Sequence, residues 1–196
     1  MRIRGVLVVL YLSIMIIYCE SQKNIVIIGH RGAKGHLAEN TLPSIAKAID
    51  LGVNGIEIDV FKCASGELVV FHDKTLEDLT NASGYIEDLD LDSIQRIEVL
   101  DGYTIPTLNE VMDLIQGKVF LNIELKGSQT AIETNNLLEE YFDKEEWSNE
   151  KILISSFIWE ELKKFRQINK EIPIAILTED DPLDAIPVGL ELDAVS

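Results

Sequence analysis

Short apolar runs, many of them β-branched, recur along this chain, and most are separated by stretches of helix length. The runs occupy 25–28, 55–60, 68–71, 119–125, 152–155 and 174–177. Each reads as a strand apolar on both faces, the run at 25–28 included, as expected of a sheet buried under helices. Between them, 41–51, 108–115, 131–142 and 159–168 read as helices. The first has Asn40 or Thr41 as its cap, Pro43 in its first turn and Gly52 at its end. Segment 74–104 is polar and partly irregular, and 192–196 reads as a strand just beginning. Strands alternating with helices predict an α/β fold with a parallel sheet.

Such a sheet is either open and doubly wound or closed into a barrel. The polar residues favour the barrel. His30, Glu57, Asp59, His72, Glu124, Lys126, Ser155 and Ser156 stand within or at the ends of many different strands. An open sheet concentrates its chemistry at one crevice, whereas a barrel aims every strand's carboxyl end at one mouth.

The chain is long enough for one domain with a real core, and its formal net charge is −17. That charge argues against nucleic acid and anionic membrane surfaces, which reward Lys and Arg. An anionic substrate then needs a bound cation or local basic groups. The N-terminus stands apart. Arg2 and Arg4 precede an apolar stretch, 6–18, too short for a comfortable membrane span and suited to an export leader. We expect residues 1–20 to be a signal peptide or lipoprotein leader, with Cys19 the candidate lipid-bearing residue. The product would be periplasmic, secreted or lipid-anchored, touching a membrane only through that leader. Cys19 and Cys63 are the only cysteines, so a cleaved chain has no disulfide framework.

Glu57 and Asp59 lie two apart on one strand and share a face. Glu124 sits inside another apolar strand. Buried and unpaired, such carboxylates cost several kcal/mol or more. Salt bridges to Lys62, Lys126 or Arg31 would relieve them, as would one hard divalent cation, Ca²⁺ or Mg²⁺. Three carboxylates in equivalent placements favour the cation. His30 and His72 end separate strands and suit a general acid and a general base, with Asp73 a partner for His72. His36 reads as solvated, and the acidic run 88–92 as a solvated face. Arg31 and Lys126 suit a phosphate, and Gly29, Gly32 and Gly35 let the backbone turn around them. Together these groups fit phosphodiester cleavage.

The motifs GHRGAKGHLAENT, GIEIDV, LVVFHD, IPTLNEV, NIELK and ISSF, in this order, resemble the glycerophosphodiester phosphodiesterases from about residue 25 to 177. The resemblance implies a distorted TIM barrel spanning 21–196, with a small insertion at about 74–105. It implies hydrolysis of glycerophosphodiesters, such as glycerophosphocholine or glycerophosphoethanolamine, to glycerol 3-phosphate and an alcohol. Carried over, the acid/base pair falls on His30 and His72, the metal carboxylates on Glu57, Asp59 and Glu124, and the phosphate contacts on Arg31 and Lys126.

The sequence departs from the family pattern in places. Ala38 stands where a proline often precedes ENT, and Asp78-Leu79-Thr80 replaces a frequent Arg-Thr-Thr. Barrels of this type typically run to about 250 residues, so the barrel is expected to be truncated or incomplete at its C-terminal end. Two other readings stay open. One is a non-catalytic remnant binding phosphorylated head groups. The other is a phospholipase D- or C-type lipid phosphodiesterase, which needs an apolar rim. Phe157, Ile158 and Trp159 would supply part of one, but read better as helix core.

Overall fold

The computed structural model describes residues 25–143 and 146–195. The leader and Cys19 lie outside them. The elements run β1 (Ile28–His30), α1 (Leu42–Asp50), β2 (Gly55–Lys62), β3 (Leu68–Val70), α2 (Leu91–Ile94), β4 (Glu98–Val99) and β5 (Tyr103–Thr104), then α3 (Leu108–Ile115), β6 (Phe120–Leu125), α4 (Thr130–Phe142), β7 (Ile152–Ser156), α5 (Trp159–Ile168), β8 (Ile174–Ile176) and α6 (Pro182–Leu192). Strands β1, β2, β6, β7 and β8 lie side by side in that order, all parallel. Strand β3 departs from the parallel expectation. It returns antiparallel to β2 through a tight turn at Ser65 and Gly66.

Among the described residues β1 pairs only with β2 and β8 only with β7, so the barrel-type sheet is open rather than closed. This corrects the reading of 25–28 as a buried strand. Ile25, Val26, Ile27 and Ile28 are exposed, since the first three precede β1 and only Ile28 lies in it, at a free edge of the sheet.

Alternation along the strands divides the sheet into two unlike faces. Ile56, Ile58 and Val60 of β2, with Ile123 and Ile154, pack against helix residues such as Ile45, Met112, Leu138 and Phe165. Each buried side chain of this size contributes about 1.5–3 kcal/mol. The opposite face carries Glu57, Asp59 and Glu124. The opposite face is therefore mixed rather than apolar throughout, acidic at Glu57, Asp59 and Glu124 and apolar at Phe61.

Local chemistry explains the helix ends. Thr107 and Glu110 form a reciprocal capping box on α3, with Thr107 N–H donating to Glu110 Oε2 at 2.8 Å. Thr41, not Asn40, caps α1. Helix α6 was not legible in the sequence. Pro182 and Asp181 start it, while Pro187 lies inside it and disguises it. It runs to Leu192, so among the described residues 192–195 form no strand, although Val195 N–H donates to Ile174 O at 2.9 Å.

The segment 74–105 builds a second core. Leu76, Ile86, Ile94, Ile97 and Ile105 pack with Phe61, Val69 and Phe71 of the β2–β3 hairpin. It also grips the loop after β6. Glu87 Oε1 accepts the Ser128 amide at 3.2 Å. A Cβ on Gly127 would stand 2.7 Å from Phe61 Cδ1 and 2.8 Å from Glu87 Oε1, so a larger residue there must push these two side chains aside. No helix of the described residues is long and apolar enough to cross a membrane.

Candidate active site

The parallel register brings the polar residues to one rim. His30 of β1, Glu57 of β2 and Asn122 of β6 stand level, and one layer on stand Asp59, Glu124 and Ser155. Partners level in a parallel ladder share a face, so the three carboxylates converge. One oxygen from each of Glu57, Asp59 and Glu124 lies within 4.8 Å of the others. All three residues are buried.

Two cations relieve part of this cluster. Lys126 Nζ lies 3.0 Å from Glu124 Oε1 and 3.8 Å from Asp59 Oδ1. Arg31 Nε lies 3.3 Å from Asp59 Oδ2, and the Arg31 amide donates to Glu57 Oε2 at 3.0 Å. Lys62 plays no part, being paired with Glu133 at 2.9 Å. Glu57 Oε1 is buried without a hydrogen-bond partner. Burial, and then the Asp59 charge, push the Glu57 carboxyl up to about 8. Burial likewise raises Glu124, against the pull of Lys126. An orphaned carboxylate oxygen among crowded acids, with only oxygen donors around it, fits a hard divalent cation.

His72 Nδ1 lies 2.6 Å from Asp73 Oδ1, and its Nε2 lies 3.2 Å from Lys126 Nζ. An ammonium only donates, so Nε2 accepts from Lys126 and the ring proton sits on Nδ1, facing Asp73. His30 Nε2 lies 3.7 Å from Glu57 Oε2. Partial burial, with Arg31 and Lys34 nearby, lowers its pKa below the ordinary 6.5 and leaves it neutral at neutral pH. His36 is exposed, as read.

Arg31 takes a left-handed backbone, φ 53°, and Gly32 follows at φ 79°. A Cβ on Gly32 would stand 2.8 Å from the Ser44 backbone, so this glycine lets the loop lie on α1. Gly35 has open space and needs no such freedom.

Several contributors were missed in the sequence. Glu39 Oε1 holds Arg31 Nη1 at 2.6 Å, and its other oxygen holds Lys34 at 2.6 Å. Asn40 Nδ2 donates to Asp59 Oδ2 at 2.8 Å. Ser155 Oγ and Asn122 Oδ1 are buried on the acidic face without hydrogen-bond partners. The ENT triplet was visible as a motif, and its position beside His30 was the available signal. Phe157, Ile158 and Trp159 are not helix core. They line a cavity of about 370 Å³ that reaches Glu124 and Lys126.

Parallel strands delivering ionisable groups from their carboxyl ends to one rim define a (β/α)-barrel enzyme. Within that class the chain belongs to the glycerophosphoryl diester phosphodiesterase family, whose model matches residues 30–194. It is 34% identical to the glycerophosphodiester phosphodiesterase of Caldanaerobacter subterraneus subsp. tengcongensis, covering 87% of this chain and 73% of the relative. It is also 34% identical to the enzyme of that name from Bacillus altitudinis, covering 79% of this chain and 66% of the relative. An Oleispira antarctica phosphodiesterase, solved in complex with the product sn-glycerol-3-phosphate, superposes with a TM-score of 0.77 at 29% identity, covering 87% of this chain and 72% of that one. The Agrobacterium tumefaciens glycerophosphodiester phosphodiesterase gives a TM-score of 0.75 at 27% identity, covering 86% and 73%.

Proposed function

We propose that this chain hydrolyses glycerophosphodiesters to glycerol 3-phosphate and an alcohol. The observation that carries this reading is the convergence of His30, Arg31, Glu57, Asp59, His72, Glu124 and Lys126 on one rim. The product-bound relative supports the substrate class.

Glu57, Asp59 and Glu124 would hold a divalent cation, Ca²⁺ or Mg²⁺. Bound there, it would offset the carboxylates and draw charge from the phosphoryl oxygens. Arg31, held from behind by Glu39 and Asp59, presents its guanidinium to the phosphate. Lys126 supplies the second positive charge. His30, neutral at the working pH, takes the proton of the attacking oxygen as the new bond to phosphorus forms. The bond from phosphorus to the leaving alcohol oxygen breaks, and that oxygen takes a proton from His72 Nε2, which acts as the acid only in the doubly protonated ring, donating to that oxygen instead of accepting from Lys126. Asp73 orients the ring so that Nε2 faces Lys126 and the cavity.

One observation favours a second reading, a lipid phosphodiesterase for acylated substrates: Phe157, Ile158 and Trp159 at the cavity. Both readings are tested by release of glycerol 3-phosphate from glycerophosphocholine, with Ca²⁺ or Mg²⁺ and with chelator, alongside lysophosphatidylcholine. Metal-dependent release from the deacylated substrate supports the first reading. Turnover of the acylated substrate alone supports the second. Binding without turnover of either leaves a non-catalytic remnant. The basic and apolar N-terminus supports export, which the mass of the protein recovered outside the cytoplasm tests.

A further inference from the structure

The cavity beside Lys126 is lined unevenly. Lys74 and Lys126 are the groups a phosphate needs. Beside them, the loop after β7 contributes Phe157, the start of α5 contributes Trp159, and the loop after β8 contributes Glu179 and Asp180. Phe157 is 41% exposed, although it is a large apolar side chain at a rim of charge. Its ring already faces one cation, with Lys126 Nζ 5.8 Å from the centroid. Trp159 is fixed by its indole N–H, which donates to Leu177 O at 2.9 Å. Glu179 and Asp180 are exposed and form no ion pair among the described residues.

Aromatic faces beside unpaired carboxylates recognise ammonium groups. The ring quadrupole attracts the cation, and the carboxylates supply the counter-charge. Long-range charge points the same way. At a formal net charge of −17 the protein repels anions. A phosphodiester of an amino alcohol is a zwitterion of no net charge and escapes that repulsion, whereas the diester of a neutral polyol does not.

We infer that Phe157, Trp159, Glu179 and Asp180 form the subsite for the leaving alcohol and select alcohols that carry an ammonium group. This rests on the proposed hydrolysis and names the substrates preferred at that same site. It also gives the apolar side chains of the cavity an occupant other than an acyl chain.

The test compares kcat/KM of the full chain, with saturating Mg²⁺ or Ca²⁺, on glycerophosphocholine, glycerophosphoethanolamine, glycerophosphoglycerol and lysophosphatidylcholine. It is repeated with Phe157→Ala and with the double variant Glu179→Gln/Asp180→Asn. The expected result is a preference of about tenfold for the two ammonium diesters over glycerophosphoglycerol. That ratio should collapse toward one in the double variant and fall severalfold in Phe157→Ala. The two variants lie on different loops, so misfolding of one leaves the other readable by its thermal transition. Equal rates on all three deacylated diesters would overturn the inference and leave the hydrolysis standing. So would variants that slow every diester alike, which would mean the cavity holds the glycerol. Faster turnover of lysophosphatidylcholine would assign the cavity to an acyl chain. No turnover of any diester would remove the proposed function, and this inference with it.

Discussion

Asp59 of β2 and Glu124 of β6 stand side by side in the parallel ladder, with Lys126 Nζ 3.8 Å from one and 3.0 Å from the other. Glu57, one layer back, completes a buried acidic triangle that a single ammonium and a single guanidinium only partly offset.

Adding Mg²⁺ or Ca²⁺ should therefore stabilise the protein. At a cation concentration of about one hundred times Kd the gain is about 2.7 kcal/mol, or about 5–10 °C in Tm for a domain of this size. Glu124→Gln should abolish the shift, and Ser155→Ala should weaken it. Differential scanning calorimetry with and without chelator checks this, and an unchanged Tm would count against the cation site.

Glu57 gives that response a pH dependence. Without a cation its carboxyl is raised to about 8, above the ordinary 4.5, so the folded protein holds a proton that the unfolded chain has released. The folded state loses stability as pH rises from the ordinary value through about 8. Cation binding at pH 7 should release protons, measurable as buffer-dependent heat in calorimetry. Glu57→Gln, free of cation, should be at least as stable as the parent at pH 8 and should release none.

Replacing His30 or His72 by alanine should lower kcat by about 10²–10⁴-fold. Because the His30 pKa lies below 6.5, the acid limb of the parent's kcat/KM profile should also lie below 6.5. A pH–rate profile and the two variants decide this. Full activity in either variant would contradict a two-histidine mechanism.

Glu39 positions Arg31, with one carboxylate oxygen on its guanidinium and the other on Lys34. Glu39→Ala removes a charge-assisted contact of 2.6 Å, worth about 1.5–3 kcal/mol. We expect KM to rise about tenfold with a smaller change in kcat, and Glu39→Gln to restore part of the loss. Steady-state kinetics separates this from general damage, which would lower Tm instead.

Glu161 makes a structural prediction far from the rim. Its buried carboxylate accepts the amides of Gln129 and Ala131 at the start of α4, and Lys164 lies 2.7 Å away. Burial pushes the carboxyl up, but these hydrogen bonds outweigh it and hold the pKa below 4.5. The resulting stability is present above the unfolded-state pKa and is lost as pH falls through the folded one. Glu161→Ala should cost about 2 kcal/mol at pH 7, about 4–8 °C in Tm, with the gap narrowing as pH falls below the ordinary 4.5. Thermal melts across pH check it.

Much of the element order was legible because apolar runs and caps are local. Thr107 with Glu110 set the start of α3, and 159–168 was read with the observed bounds of α5. Strand sense is not encoded in periodicity, which is why β3 was read as another strand of the parallel set. Exposure of 25–28 depends on what pairs with β1, and a hydrophobic run carries no record of its neighbours. The seven candidate residues were legible as strand-end chemistry, and the structure brings them to one rim. Glu39, Asn40, Asn122 and Ser155 were not assigned roles, because their work depends on approach across the fold: Asn40 reaches Asp59, and Ser155 stands level with Glu124. Phe157 and Trp159 were misread because an aromatic at a helix start looks the same whether it faces a core or a cavity.

Gly127 ties these scales together. A side chain there would push against Phe61 and Glu87, and the glycine directly follows Lys126. The insertion is thus a wall beside Lys126, the lysine proposed to face the phosphate, and not an ornament on the barrel. Relatives could exchange insertions only if the replacement kept both the shape that clears this glycine and an acid to hold the Ser128 amide. Grafting a foreign insertion without them would displace Lys126 and impair the proposed catalysis from a distance, while leaving every other rim residue in place.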